Sequence, residues 1–312
     1  ILGLVLAILV FSVLATGAVR TLEFLAVQFM TIAVGLLWLA RFWLNPRQRL
    51  LFPPVGWAVL AFLAYAAWRY GQADVEYVAR QEWVHLLVYS ILFFVILNIL
   101  YKAEWTQLTV YVLVFLGMAI AIYAIIQVIL NSDQVWHFSK PDQYRGRGSG
   151  TFINPNHMAN WLAVVLPLGL AVVLVGRVHQ NMRILLAYAC LMILGGLATS
   201  MSRGGWIACG LGLLTLLGIL ARRRRFRIPV LAVLTAAVIA AGGFFFKSDF
   251  AQERLQRAAT PGNQAHMASR LDLWKPAIDM WLDNKWTGVG PGHYDIRFPE
   301  HRPDSVQARP VR

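Results

Sequence analysis

Residues 204–227 read GGWIACGLGLLTLLGILARRRRFR, an apolar block that runs without a charge to Ala221 and then meets five arginines in six positions. A bilayer is crossed by roughly 17–25 apolar residues in a helix. Lipid offers the backbone no hydrogen-bond partner, so a spanning segment must pair its own N–H and C=O groups, as a helix or in a closed barrel. Barrel strands alternate apolar and polar residues, whereas this block is continuous, which selects the helix. Arg222, Arg223, Arg224, Arg225 and Arg227 then place the following loop in the cytoplasm, because short loops rich in Lys and Arg stay on that side.

Similar blocks lie on both sides of it. The pattern predicts about nine transmembrane helices, over 1–17, 24–44, 54–69, 84–101, 107–130, 156–176, 182–199, 204–221 and 228–246. Alternation from the arginine run leaves eleven Lys and Arg in cytoplasmic loops and seven in short outer loops (Arg20, Arg69, Arg80, Lys140, Arg145, Arg147 and Arg203). The N-terminus then falls inside and the tail 247–312 outside. The expected organisation is a transmembrane helical domain over 1–246, with an outer loop at 131–155, followed by a periplasmic loop segment over 247–312.

Composition agrees. The 312 residues are 58% hydrophobic and 14% charged, against about 25% charged in a soluble domain. A net charge of +13 would point to nucleic acid in a soluble protein. Here the positive residues sit between spans, so nucleic acid is excluded as a partner and membrane lipids are expected instead. Cys190 and Cys209 both fall within spans and offer neither metal-ligand spacing nor a disulfide framework. No cofactor and no metal are expected. The chain opens on Ile1 without a basic leader or cleavage site, and its first block reads as a truncated span.

The outer loops carry the chemistry. Arg20, Arg80, Arg147 and Arg203 precede or open the even-numbered spans, whose N-termini face outward under this topology. A helix N-terminus has unpaired N–H groups and partial positive charge, and a guanidinium grips phosphate through two parallel bonds. Several such ends together would hold a phosphate group at the membrane surface. Arg20, Arg69 and Arg145 also fit simple snorkelling to headgroups; Arg80, Arg147 and Arg203 are the functional candidates.

Residues 146–161 read GRGSGTFINPNHMANW. Asn154 is an N-cap and Pro155 a first helical residue, which puts Asn156 and His157 in the first turn beside Arg147. In TSMSRGGW (199–206), Ser202 caps, Arg203 opens the span, and Gly204 and Gly205 permit close helix packing. Further on, 269–280 reads as an amphipathic helix with Leu271, Trp274, Ile278 and Trp281 on one side, short or bent at Pro276 and ending near Asn284. The glycines of Gly288-Val-Gly290-Pro-Gly292 suit either a structural turn or part of the site. Trp274, Trp281, Trp286 and Tyr294 suit either sugar stacking or packing at the membrane surface. Asp74, Glu76 and Glu82 lie on one outer loop and could in principle hold a metal, but read first as a solvated loop or as partners of Arg69 and Arg80; His293 and His301 are possible bases that nothing positions.

Three stretches together resemble the O-antigen ligase and polymerase superfamily: Arg147-x-x-Gly-Thr-Phe-x-Asn-Pro-Asn-His, then Ser202-Arg203-Gly-Gly-Trp, then Arg270-x-x-x-Trp274 leading to Gly288-Val-Gly290-Pro-Gly. Their order and spacing fit over about residues 140–295; the first 130 residues match only in hydropathy and in Arg80. The resemblance implies an all-α, metal-independent membrane glycosyltransferase in the bacterial inner membrane, with its active face periplasmic. It would take a glycan from an undecaprenyl-pyrophosphate donor to a lipid A core, a growing glycan or a protein hydroxyl. Ligase activity in lipopolysaccharide or surface polysaccharide biosynthesis is the leading expectation, and polymerase or protein O-oligosaccharyltransferase activity the alternative. By the same resemblance Arg80, Arg147, Arg203 and Arg270 would bind the donor pyrophosphate, and Asn154, Asn156, His157, Ser202, Gly288 and Gly290 would shape the site. The family's His-Asn motif, whose histidine is its proposed base, has no counterpart before Arg312. The expectation is therefore a fragment with weak or no turnover, its catalytic residue lying beyond Arg312. Two other classes compete. A transporter or flippase of an anionic lipid-linked sugar should show charge at the bilayer midplane and matching broken helices, and a scaffold would not need arginines at several helix N-termini.

Overall fold

The computed structural model describes residues 1–45, 50–222 and 274–302. Eight of the nine expected spans are helices: α1 (Leu2–Leu14), α2 (Thr21–Leu44), α3 (Pro54–Tyr70), α4 (Glu76–Ile99), α5 (Ala103–Ile129), α6 (Pro155–Val175), α7 (Gln180–Thr199) and α8 (Arg203–Ala221). The ninth, 228–246, lies outside the described residues, as do Ser269, Arg270 and Leu271. Six helices, α2 and α4 to α8, are long and apolar enough to cross a membrane; α1 and α3 are shorter. Large apolar side chains such as Phe29, Ile129 and Ile207 stand exposed on their flanks, the reverse of a water-soluble surface. The chain is an α-helical polytopic membrane protein.

One boundary differs from expectation with a consequence for the site. Helix α4 starts at Glu76, not near residue 84, so Arg80 lies inside its second turn instead of ahead of it. The apolar pattern located the lipid-facing length, while the helix extends N-terminally beyond it through Glu82, Arg80 and Glu76. Glu76 and Glu82 are accordingly helical residues and not members of a loop.

The chain divides into two compact units, residues 1–51 with 91–230 and residues 52–90 with 231–312. In the first, α7 packs on α5 and α6, and α6 packs on α8. The core joins Val114, Ile120, Ala121 and Ala124 of α5 to Met158, Leu162 and Leu166 of α6 and Leu186, Ala189 and Ile193 of α7. Glycine allows the close crossings. A Cβ on Gly196 would come within 2.5 Å of Ala121 Cβ, and one on Gly205 within 2.5 Å of Ala159 Cβ. Backbones approach this closely in membrane bundles only where one partner is small. Val5, Val34, Val95 and Ile99 form a second cluster among α1, α2 and the C-terminal part of α4. Asn98 is buried beside it, binding the N–H and C=O of Leu51.

In the second unit, residues 274–283 form a helix, α9, and Tyr294–His301 form α10. Residues 274–283, Pro276 included, are helical without interruption.

Candidate functional site

The loop from 131 to 154 caps one end of the first unit. It holds a small hairpin, Gln134–Val135 paired with Phe138–Ser139, and a single 3-10 turn at Asp142–Tyr144. Trp136 Nε1 donates to Leu14 O, Thr151 Oγ1 donates to Val13 O, and the Arg20 guanidinium lies 3.3 Å from the centroid of the Phe138 ring. The C-terminus of α1 and the N-terminus of α2 are thus tied to this loop.

Gln127, buried near the end of α5, fixes the glycine-rich stretch. Its Nε2 donates to Gln134 O and Gly150 O, at 2.9 and 3.0 Å. Its Oε1 accepts from the N–H groups of Ser149 and Gly150, both at 3.0 Å, and from Lys140 Nζ at 3.5 Å. Gly148 and Gly150 are required here. A Cβ on Gly148 would stand 2.4 Å from Thr199 Oγ1, and one on Gly150, at φ +56°, 2.5 Å from Ile120 Cγ2.

On this base sits Arg147. Its Nε donates to Ser200 O at 2.8 Å and its Nη2 to Asn156 Oδ1 at 2.9 Å, while Lys140 Nζ donates to its carbonyl oxygen at 2.7 Å. Asn154 caps α6 by accepting from Asn156 N, and Ser202 caps α8 by accepting from Gly205 N, as the sequence indicated. Arg147 therefore links the turn that starts α8 to the first turn of α6, and the Gly205 contact keeps those two N-termini adjacent. His157, in the first turn of α6, and Arg203, the first residue of α8, are exposed, and Arg203 has no hydrogen bond or ion pair among the described residues. Lys140 is buried, with no carboxylate in ion-pair range among the described residues. Burial first, and then Arg147, lower its pKa, against the opposing pull of Asp133. Two helix N-termini and three cationic side chains thus share one end of this unit, which suits an anion; of the acidic groups nearby, Asp142 pairs with Arg145 and Asp133 accepts from Gly146 N.

The other arginines expected on the outer loops have partners. Arg145 pairs with Asp142, Arg80 with Glu76 on the exposed surface of α4, and Arg69 Nη2 donates to Gly288 O. Arg80, Gly288 and Gly290 belong to the second unit, and Arg270 lies outside the described residues. Asp74 pairs with Arg297 and Glu82 with His85, so of the pairings expected for this acidic set only Glu76 with Arg80 occurs.

The Gly288–Gly292 turn is held structurally. All three glycines have positive φ, and a Cβ on Gly292 would meet Val78 Cγ1 at 2.6 Å. Tyr65 Oη donates to Thr287 O. His293 is 1% exposed; its Nε2 accepts from Val75 N at 3.1 Å, which leaves Nδ1–H to donate to Pro291 O at 2.7 Å. With both nitrogens engaged, His293 is a brace and not a free base. His293→Ala should strand the Val75 N–H, at a cost of about 1–3 kcal/mol. Hydrogen exchange is expected to quicken at residues 75–79; unchanged protection would refute the brace. His301 Nε2 lies 2.9 Å from Asp283 Oδ2, whose hydrogen bond raises the histidine pKa.

Gln127 and Lys140 escaped the sequence reading. A lone amide within the apolar run of α5 was the available signal for Gln127; nothing local distinguishes Lys140 from an exposed loop lysine.

Comparison with known protein families matches residues 187–310 to the family described as O-Antigen ligase. The match takes in Ser202, Arg203, Trp274 and the Gly288–Gly292 turn, and begins after the Arg147 stretch. Searches of curated proteins and of solved structures return no match.

Proposed function

We propose, from the match of residues 187–310 to the O-antigen ligase family, that the chain serves a membrane glycosyltransferase of polysaccharide biosynthesis that takes a glycan from undecaprenyl-pyrophosphate on the periplasmic face of the bacterial inner membrane. The reading is ligase-like, with lipid A core as acceptor. The acceptor hydroxyl oxygen attacks the anomeric carbon and the bond from that carbon to the pyrophosphate oxygen breaks. The electron pair leaves on the pyrophosphate, and the hydroxyl proton passes to a base.

The observation that carries the proposal is the joining of the α6 and α8 N-termini by Arg147, with the exposed Arg203 opening α8 and the buried Lys140 bound to the Arg147 carbonyl. Fixed donors and cations aimed at a leaving group stabilise the charge that develops on it, without reorganisation during the reaction. Asn156 orients Arg147, and Asn154 and Ser202 set the helix ends. For Arg80 and Arg270 the support is the sequence resemblance alone.

The test is binding of undecaprenyl pyrophosphate to the purified chain in detergent. Arg203→Ala is expected to weaken binding about tenfold, or about 1.4 kcal/mol, with unchanged thermal unfolding because the exposed side chain has no hydrogen bond or ion pair to lose among the described residues. Arg147→Ala should weaken it at least as much. Equal affinity of wild type and Arg203→Ala would overturn the donor site.

A further inference from the structure

Helix α9 presents three different sectors. At about 100° per residue, Pro276 and Met280 share the side that is buried against the protein. Lys275, Asp279 and Asp283 share a polar side. Trp274, Ile278, Trp281 and Leu282 share a third, with exposures of 64, 53, 56 and 45%. Trp286, three residues past the helix, is 94% exposed. A soluble surface does not carry three exposed tryptophans and two aliphatic side chains in thirteen residues without an occupant.

The position of this helix within its unit says what the occupant is. The residue after Trp286, Thr287, accepts from Tyr65 Oη, and Gly288 O accepts from Arg69, both in the last two turns of α3. The same turn then meets Val78, and its Gly292 lies against Glu82, in the first two turns of α4. Those turns carry Glu76, Arg80 and Glu82, ahead of the apolar length of a helix able to span a membrane. The C-terminal end of α9 is therefore anchored where α4 passes from charged to apolar sequence, which is the level of the lipid headgroups. Exposed Trp68 and Tyr77 stand on those same turns of α3 and α4. Trp and Tyr concentrate at that depth because their rings suit the acyl boundary and their N–H and O–H groups suit the headgroups.

We propose that α9 is an interfacial helix, with Trp274, Ile278, Trp281 and Leu282 seated among the phospholipid headgroups of the leaflet that receives the α3–α4 end. Lys275 and Lys285, exposed beside this face, reach lipid phosphate. An amphipathic helix with one apolar face and charged flanks lies in the interface plane in this way.

The proposal is independent of the pyrophosphate site and can fail while that site stands. The test uses the full chain in phospholipid nanodiscs, with Cys190 and Cys209 replaced by Ala and a nitroxide attached to Ile278→Cys or, separately, Asp279→Cys. Collision with oxygen should exceed collision with a water-soluble nickel chelate at 278, and the order should reverse at 279. Retention of thermal unfolding by each variant confirms that the fold is intact. Nickel-dominated collision at both positions would overturn the proposal, leaving the tryptophans to glycan. So would shielding of 278 from both reagents together with dipolar broadening between labels, which would assign the face to a second copy of the chain.

Discussion

Gln127→Leu is expected to unfold the end of the first unit that the 131–154 loop caps. The substitution keeps the bulk of the side chain and removes five hydrogen bonds at once. The N–H groups of Ser149 and Gly150 and the carbonyl of Gly150 have no alternative route to solvent through the residues packed around them. Each buried polar group left without a partner costs about 1–3 kcal/mol, so the three together should cost roughly 3–9 kcal/mol. Lys140 also loses one of its two acceptors while its ammonium stays buried, so the loop that carries Arg147 loses its support from below. Thermal unfolding in detergent should shift to lower temperature and binding of undecaprenyl pyrophosphate should be lost. Gln127→Glu keeps an acceptor for the two N–H groups and the lysine but removes the donor, and should fall between the two. A Gln127→Leu protein that melts and binds as wild type would show that the loop is held by other means.

The second large effect concerns two adjacent glycines with opposite surroundings. A Cβ on Gly205 would lie 2.5 Å from Ala159 Cβ, whereas a Cβ on Gly204 would meet nothing within 4 Å. Gly205→Leu must push α8 away from α6, at about 1–3 kcal/mol for overpacking. The functional loss should be larger than the stability loss. It separates the two helix N-termini and pulls Ser200, an acceptor for Arg147, away from Asn156. Binding of the lipid pyrophosphate is expected to fall tenfold or more, or at least about 1.4 kcal/mol. Gly204→Ala is exposed within the first turn and should be neutral or slightly stabilising, since alanine favours the helix by roughly 0.5–1 kcal/mol. Equal effects of the two substitutions in the binding assay would show that the α6–α8 contact does not set the site.

Both predictions rest on features with different visibility in the sequence. The helices were legible because lipid imposes a long continuous apolar run, and the described span ends fall within a few residues of expectation for all but α4. Asn154-Pro155 and Ser202 were legible because capping is local chemistry. The error at α4 has a physical cause: hydropathy reports where lipid begins, not where the helix begins, and charged turns can extend a span into water. Gln127 and Lys140 were hidden because their importance arises from what folds around them. Gln127 meets Gly150 across 23 positions, and no local pattern indicates which loop a lone amide will serve. The amphipathic character of α9 was also readable, but its exposed face and its anchor on Tyr65 and Arg69 required the fold.

The bond from Arg147 to Ser200 also sets a clock on biogenesis. The two residues are 53 positions apart, and at the usual 5–20 residues per second of synthesis the later one emerges about 3–10 s after the earlier. During that interval α6 and α7 must enter the bilayer while the guanidinium has neither its carbonyl acceptor nor the neighbouring α8 turn. The glycine loop can close on Gln127 as soon as residue 150 is made, but the arginine reaches its place only after the seventh helix is complete. That end of the first unit is thus completed only after α5, α6 and α7, the apolar lengths beneath it made before residue 200, have been committed to lipid.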